Sequence, residues 1–326
     1  MVESEATPTV EPVNRSGRVT LAFAGDIHFE RHLLQHLRPG RMQVLEPLWS
    51  GADLVIANLE TAITSKGDRQ EKIYNFKAPA RTITALAGAG FDVVSMANNH
   101  SLDYGRSGLA DTLAAFKGSP LAAVGIGADR RAALTPYRVD LPDRDGSLAP
   151  TPISVFAFAT SEMLGGLNWA AQPDRGGMVV WESHRSALLK AIRSERDAGR
   201  VVVVYAHWGR ERESCPTATQ RKAAADLEAA GATIIVGAHP HILQGIGRTA
   251  GGALVAYSLG NFIWYNAKGG LTGVLTVELV DRQVVAADFT TARLSGRSST
   301  LGLPLRTVEP VAVFTALAKC ANLTRP

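Results

Sequence analysis

A set of residues that bind metals or move protons stands at the ends of short apolar runs. Asp26 and His28 close Leu21-Ala-Phe-Ala-Gly-Asp-Ile-His28, and Glu60 closes Leu54-Val-Ile-Ala-Asn-Leu-Glu60. Asn98, Asn99 and His100 close Val93-Val-Ser-Met-Ala-Asn-Asn-His100, and His207 closes Val201-Val-Val-Val-Tyr-Ala-His207. His239 and His241 close Thr233-Ile-Ile-Val-Gly-Ala-His-Pro-His241, and Leu254-Val-Ala-Tyr-Ser-Leu-Gly-Asn261 ends likewise on polar residues. Imidazole mixed with carboxylate is the ligand chemistry suited to Zn, Mn or Fe. Taken singly each has a structural explanation: Asp26 as a helix cap, His239 and His241 as a hydrogen-bonded pair. Recurrence at five separate run ends is what points to a metal.

These residues need elements that bring them together. The six runs are short, rich in β-branched residues and nearly all apolar, as strands buried on both faces are. Ligands of open α/β sheets lie beyond the carboxyl ends of such strands, so the six ends are expected to converge on one rim. Helices are expected over 80–87, 105–116, 182–198 and 217–230, with a short one within 28–37. The polar segment 65–79 and the Gly-bearing segment 160–177 read as loops over the rim, and 135–152 as a hairpin or loop. Residues 273–280 and 283–289 alternate as an antiparallel pair around Asp281-Arg282. Strand–helix alternation early and antiparallel strands late indicate an α/β sandwich of mixed sheets.

The 326 residues, 46% of them apolar, suffice for one large core, and a single domain over 19–293 is favoured. Residues 1–18, with Pro, Thr and Glu and no periodicity, read as a flexible linker, either a frayed terminus or the stub of a tether. Residues 294–326 read as an extension packed on the domain. A net charge of +4 with no dense basic block argues against nucleic acid as a partner. No run reaches the roughly 18–20 apolar residues of a membrane span, and the first twenty lack a signal-peptide core, so the chain as given reads as soluble. Cys215 and Cys320 are too few for a disulfide framework and lack zinc spacing; the expectation is a single bond between them.

The order Asp-x-His, acidic residue, Asn-His, His, His-x-His resembles the calcineurin-like metallophosphoesterases. Gly25-Asp26, Asn58-Leu-Glu60-Thr61, Ala97-Asn-Asn-His100-Ser-Leu-Asp103-Tyr-Gly105, His207-Trp-Gly209-Arg-Glu211, Gly237-Ala-His239-Pro-His241 and Tyr257-Ser-Leu-Gly-Asn-Phe262 are more closely similar to the CapA family of poly-γ-glutamate capsule synthesis proteins. The resemblance covers about Val19 to Trp264 and implies a four-layer α/β/β/α sandwich with two divalent metal ions, Mn, Fe or Zn. It places Asp26, His28 and His241 on the first ion, Asn99, His207 and His239 on the second, and Glu60 between them, a spacing of about 3.5–4 Å.

The same resemblance makes His100 the proton donor to a leaving group. Arg31, which matches a family arginine, is expected with Asn98 to contact substrate, though Arg31 also reads as a solvated helix residue. Ser258 and Asn261 orient ligands or cap a turn, and His184 reads as a surface residue. Glu60 and Asn98 stand where phosphoesterases carry Asp and Gly; both departures are shared with the CapA pattern. His28 stands where many CapA-like chains have Met, which completes the Asp-x-His pair. The implied partner is an anionic polymer such as poly-γ-glutamate, together with membrane synthase or export proteins, at an extracytoplasmic location with the signal or anchor absent from this chain. The implied function is synthesis, export or processing of that polymer, of which the catalytic form is hydrolysis of a γ-glutamyl amide or phosphoester; the alternative is a non-catalytic factor that holds the polymer on the same rim. No Gly-x-Ser-x-Gly elbow supports serine catalysis.

Overall fold

Four successive valines, Val201–Val204, are all buried, and the reason is that their strand is covered on both sides. Val203 and Tyr205 join a core shared with Leu21, Phe23 and Ile56, while Val202, Val204 and Ala206 pack against Leu188, Ile192 and Leu227 of two helices. Side chains two apart share a face of a strand, so one unbroken apolar run serves two cores at once. The computed structural model describes residues 17–144, 146, 148–265, 270–295, 302–306 and 317–324. The expected linker, except residues 17 and 18, and residues 296–301, 307–316 and 325–326 of the expected extension lie outside the described residues.

The six motif strands divide three and three between two mixed sheets. In the first sheet the strands run Pro304–Arg306, Gln283–Leu294, Leu271–Val280, Val19–Ile27, Leu54–Leu59, Val93–Ser95 and Ala122–Val124. Val19–Ile27 is parallel to Leu54–Leu59, with Leu21 opposite Leu54, and antiparallel to Leu271–Val280, with Leu21 opposite Val277. Beyond an irregularity it pairs with Asn261–Ile263, placing Asp26 opposite Asn261. The second sheet runs Ile246–Arg248, Leu254–Ala256, Ile234–Ala238, Val201–His207, Thr151–Ala159 and Tyr137–Leu141. Its four middle strands are parallel and its two edges antiparallel.

The sheets pack face to face. Helices Trp181–Asp197 and Ala218–Ala230 cover the second sheet, and helix Arg81–Gly88 covers the first with Leu45 of a short 3-10 segment, so the layers are α/β/β/α. Local chemistry sets the ends of these helices. Thr217 accepts from Gln220 N while Gln220 Oε1 accepts from Thr217 N, a reciprocal cap, and Gly231 at φ 108° stops the same helix. The segment expected as a hairpin or loop holds the edge strand Tyr137–Leu141, antiparallel to Thr151–Ala159. Cys215 and Cys320 are bonded across 105 residues of chain, tying the C-terminal segment to the loop after His207. Among the described residues no helix is long and apolar enough to cross a membrane.

Candidate metal centre

The carboxyl ends of both sheets meet at one rim, and each sheet supplies half of a polar cluster buried among apolar strands. Asp26 comes from the end of Val19–Ile27, where Gly25 lets a neighbouring turn approach: a Cβ there would lie 1.9 Å from Gly260 O. Asp26 N donates to that same carbonyl at 2.9 Å. Glu60 follows Leu54–Leu59, and Asn99 and His100 follow Val93–Ser95. From the second sheet come His207, at the end of its strand, and His239 and His241 just past Ile234–Ala238. Both of these histidines have left-handed backbone, φ 95° and 58°, a strain that persists only where the surroundings hold it. Arg212 N donates to Pro240 O, Asn261 Nδ2 to His241 O and Ser258 Oγ to Ile242 O, at 2.8, 3.2 and 2.7 Å.

Glu60 occupies the middle. Its Oε1 is buried without a hydrogen-bond partner and lies 3.8 Å from His207 Nε2 and 3.9 Å from the Nε2 atoms of His100 and His241. Those separations are too long for hydrogen bonds, and they surround one carboxylate oxygen with ligand nitrogens. Ligand atoms of Glu60, His207 and His239 lie within 4.8 Å of one another, and so do those of Asp26, Glu60 and His241. Asn99 Oδ1 reaches His207 Nε2 at 2.9 Å. Asn58 Nδ2 joins the two carboxylates, donating to Asp26 Oδ1 at 2.9 Å and Glu60 Oε2 at 3.2 Å. Burial, and then the nearby Asp26, pushes the Glu60 carboxyl well above its usual range. Burial holds His207 well below the usual imidazole range and His239 down to about 3, with His239 and His241 respectively adding to it. Neutral imidazole is the form that binds a cation.

His100 is held from behind. Its Nδ1 lies 2.6 Å from Asp103 Oδ2, which also accepts from Phe76 N at 2.6 Å, and this turns Nε2 toward Glu60. Lys72, reaching in from the 65–79 loop, pairs with Asp103 Oδ1 at 2.7 Å, donates to Asn99 O, and stands 5.3 Å from the Trp169 ring. Phe76 stacks on the imidazole at 4.1 Å. Burial raises Asp103 to about 7 against the opposing pull of Lys72, and burial followed by Lys72 lowers His100 well below its usual range.

The structure thus gathers Asp26, Glu60, Asn99, His100, His207, His239 and His241. His28 falls outside both ligand groups: it is buried among Phe76, Trp264 and Tyr265 at 4.6, 4.1 and 4.6 Å, its Nε2 accepting from Tyr265 N at 3.4 Å and its Nδ1 without a partner. Asn98, expected at the substrate, faces inward instead. Its Nδ2 donates to Asn58 Oδ1 and Leu59 O at 3.1 and 2.8 Å, and its Oδ1 accepts from His100 N at 3.1 Å. Arg31 is exposed and lies over the Tyr265 ring at 4.7 Å. His184, expected at the surface, is buried, accepting from Val180 N at 3.0 Å and donating to Ala171 O at 2.9 Å. Asn58, Lys72 and Asp103 carried no assigned role in the sequence; Asn58 and Asp103 stood inside the quoted motifs, and Lys72 had no signal beyond a polar loop.

An orphaned buried carboxylate oxygen ringed by imidazole nitrogens fits divalent cations held by nitrogen and oxygen donors. The two-sheet sandwich is that of a calcineurin-like phosphoesterase. The crystal structure of YfkN from Bacillus subtilis, so described, superposes with a TM-score of 0.51 over 94% of this chain and 97% of that one, at 14% identity. The chain belongs to the family described as bacterial capsule synthesis protein PGA_cap, which matches residues 20–266. It is 30% identical to the PGA biosynthesis protein CapA of Bacillus subtilis, over 76% of this chain and 63% of that protein. It is 33% identical to the capsule biosynthesis protein CapA of Bacillus anthracis, over 80% and 64%. The chain spans under two thirds of the length of these relatives.

Proposed function

We propose that this protein is a metal-dependent factor in making, exporting or processing poly-γ-glutamate or a related anionic polymer at the cell surface. The observation that carries this reading is Glu60 Oε1, buried, unpartnered and ringed by His100, His207 and His241. Asp26, Glu60 and His241 would hold one cation, and Glu60, Asn99, His207 and His239 a second, with His28 available at the edge of the first. Divalent cations there supply polarisation of a carbonyl or phosphoryl oxygen and a water of lowered pKa.

The rest is the work of this chain's own side chains. Asp103 fixes the His100 ring so that Nε2 faces the centre, where it can pass a proton to a departing amine or alkoxide. Lys72 neutralises Asp103 and keeps the pair in place. Arg31 at the rim suits a substrate carboxylate or phosphate. The bonds acted on are a γ-glutamyl amide or a phosphoester.

Metal content of the purified protein, measured beside release of glutamate from poly-γ-glutamate and of phosphate from simple phosphoesters, tests this reading. About two equivalents of Mn, Fe or Zn with turnover of either substrate is the expected result. Two equivalents without turnover places the protein as a polymer-holding factor on the same rim. No metal after purification in supplemented buffer overturns the reading.

A further inference from the structure

The candidate ligands belong to two sheets that share no strand pairing: Asp26 and Glu60 on one, His207, His239 and His241 on the other. Strand geometry fixes spacing within each half, while the distance between halves is set by side chains and by the turn around Gly260, whose carbonyl accepts from Asp26 N at 2.9 Å and whose neighbour Leu259 N donates to Gly237 O at 3.3 Å. At the centre itself the cross-sheet contacts among the described residues include His241 to Asp26, His239 N to Asp26, His207 to Asn99, Asn58 to His207 and Asn261 to His241 O, at 3.1, 3.3, 2.9, 3.3 and 3.2 Å. Each uses a candidate ligand on at least one side, so none is independent of the cations it would help to place.

One buried contact lies beneath them and uses none. Tyr205 Oη donates to Ala24 O at 2.5 Å, and Tyr205 is fully buried. Tyr205 precedes His207 by two residues and Ala24 precedes Asp26 by two, so this bond lies one side-chain layer, about 7 Å, below the centre on both sheets. Ala24 also sits in a gap of the ladder. Pairing with Leu271–Val280 ends at Phe23, pairing with Leu54–Leu59 shifts between Phe23 and Asp26, and pairing with Asn261–Ile263 begins at Asp26. The phenol therefore takes a carbonyl at the irregularity that presents Asp26. A tyrosine ring is a strut of nearly fixed length, unlike a flexible polar chain.

We infer that Tyr205 is a positioning residue that sets the spacing between the two halves of the metal centre. The inference rests on the metal reading above. Its test is Mn(II) binding followed by electron paramagnetic resonance, in which two adjacent ions give an exchange-coupled signal. The wild type is expected to bind two ions and show that signal. Tyr205→Phe, with a folded circular-dichroism spectrum, is expected to bind the second ion about 10–100-fold more weakly and to lose the coupled signal. Val203→Ala, a further layer down, weakens the same core without touching the strut and is expected to keep it. Equal affinity and an unchanged signal in Tyr205→Phe overturn the inference, as does loss of the signal in Val203→Ala. If Tyr205→Phe does not fold, 4-aminophenylalanine at 205, which keeps the ring and a donor, is expected to keep the coupled signal, and its loss in that folded variant overturns the inference. A wild type that binds no Mn(II) overturns the metal reading itself and this inference with it.

Discussion

Glu60→Gln should make the metal-free protein more stable and the metal-loaded protein less so. Glu60 is fully buried, and its Oε1 has no donor; the carboxylate is supported mainly by Asn58 Nδ2 at 3.2 Å from Oε2. A buried carboxyl so thinly compensated is costly either way, as a desolvated charge or in taking up the proton that burial beside Asp26 favours. Gln has the same shape, keeps an acceptor for Asn58, and turns an NH2 toward His241 Nε2, 3.9 Å away, which can accept because His241 Nδ1 donates to Asp26. Allowing for what Asn58 already recovers, the gain in EDTA is about 1–3 kcal/mol, or about 1.5–4.5 °C in Tm for a chain of this size. With metal the order reverses. A cation at 100 times its Kd stabilises the wild type by about 2.7 kcal/mol, and Gln removes the negative ligand shared by both ligand groups. Differential scanning calorimetry of both proteins, in EDTA and in Mn(II), should give melting curves that cross. The reasoning is refuted if Glu60→Gln melts below the wild type in EDTA, or if Mn(II) raises both proteins equally.

His100→Ala is expected to keep its metals while losing hydrolysis by about 10²–10⁴-fold, the loss typical of a missing proton donor; metal analysis beside the rate checks this, and loss of metal would make His100 a ligand. Reducing the Cys215–Cys320 bond, or replacing both residues by Ser, should lower unfolding stability by about 2–4 kcal/mol, because a long loop is released in the unfolded chain; equal denaturant midpoints with and without reductant would contradict it. Glu195 accepts from Arg138 at 2.6 and 2.9 Å and from Ser154 at 2.7 Å, and the Arg138 bonds hold its carboxyl below the usual range despite burial. Its folded pKa lies below its unfolded one, so its contribution is complete above the unfolded value, about 4.5, and fades as pH falls through the folded value. The stability gap between wild type and Glu195→Gln should be about 1–3 kcal/mol near pH 7 and shrink below pH 4.5 in denaturant titrations; a gap that widens in acid would contradict the assignment.

The strands and the polar residues that end them were legible in the sequence because both are local facts. Val201–Val204 is unbroken and β-branched, and only a strand covered on both faces accommodates such a run in water. Asp26, Glu60, Asn99, His207, His239 and His241 end such runs, and carboxyl ends of strands sharing one rim must bring their last residues together. The helix from Ala218 to Ala230 was equally local, written in an Ala-rich run from Thr217 that Gly231 closes. Cys215 and Cys320 are the two cysteines of this sequence, and they are bonded to each other.

Only the tertiary structure decided what each of these residues touches. The motif strands enter two sheets, three in each, and no strand announces its sheet, since a strand buried on both faces has the same pattern in either. Asn98 and Asn99 are adjacent and identical, yet one reaches Asn58 and the other His207, because the chain bends just past the strand Val93–Ser95 and points the two side chains apart. His184 looked like a surface residue on a charged helix, and it is buried because Val180 N, at the cap of its own helix, and Ala171 O, from the segment before that helix, close on its ring. Lys72 sat in a polar loop with nothing to mark it. Its partner Asp103 is 31 residues away, and a lysine becomes part of a buried site only when the fold brings a carboxylate to meet it.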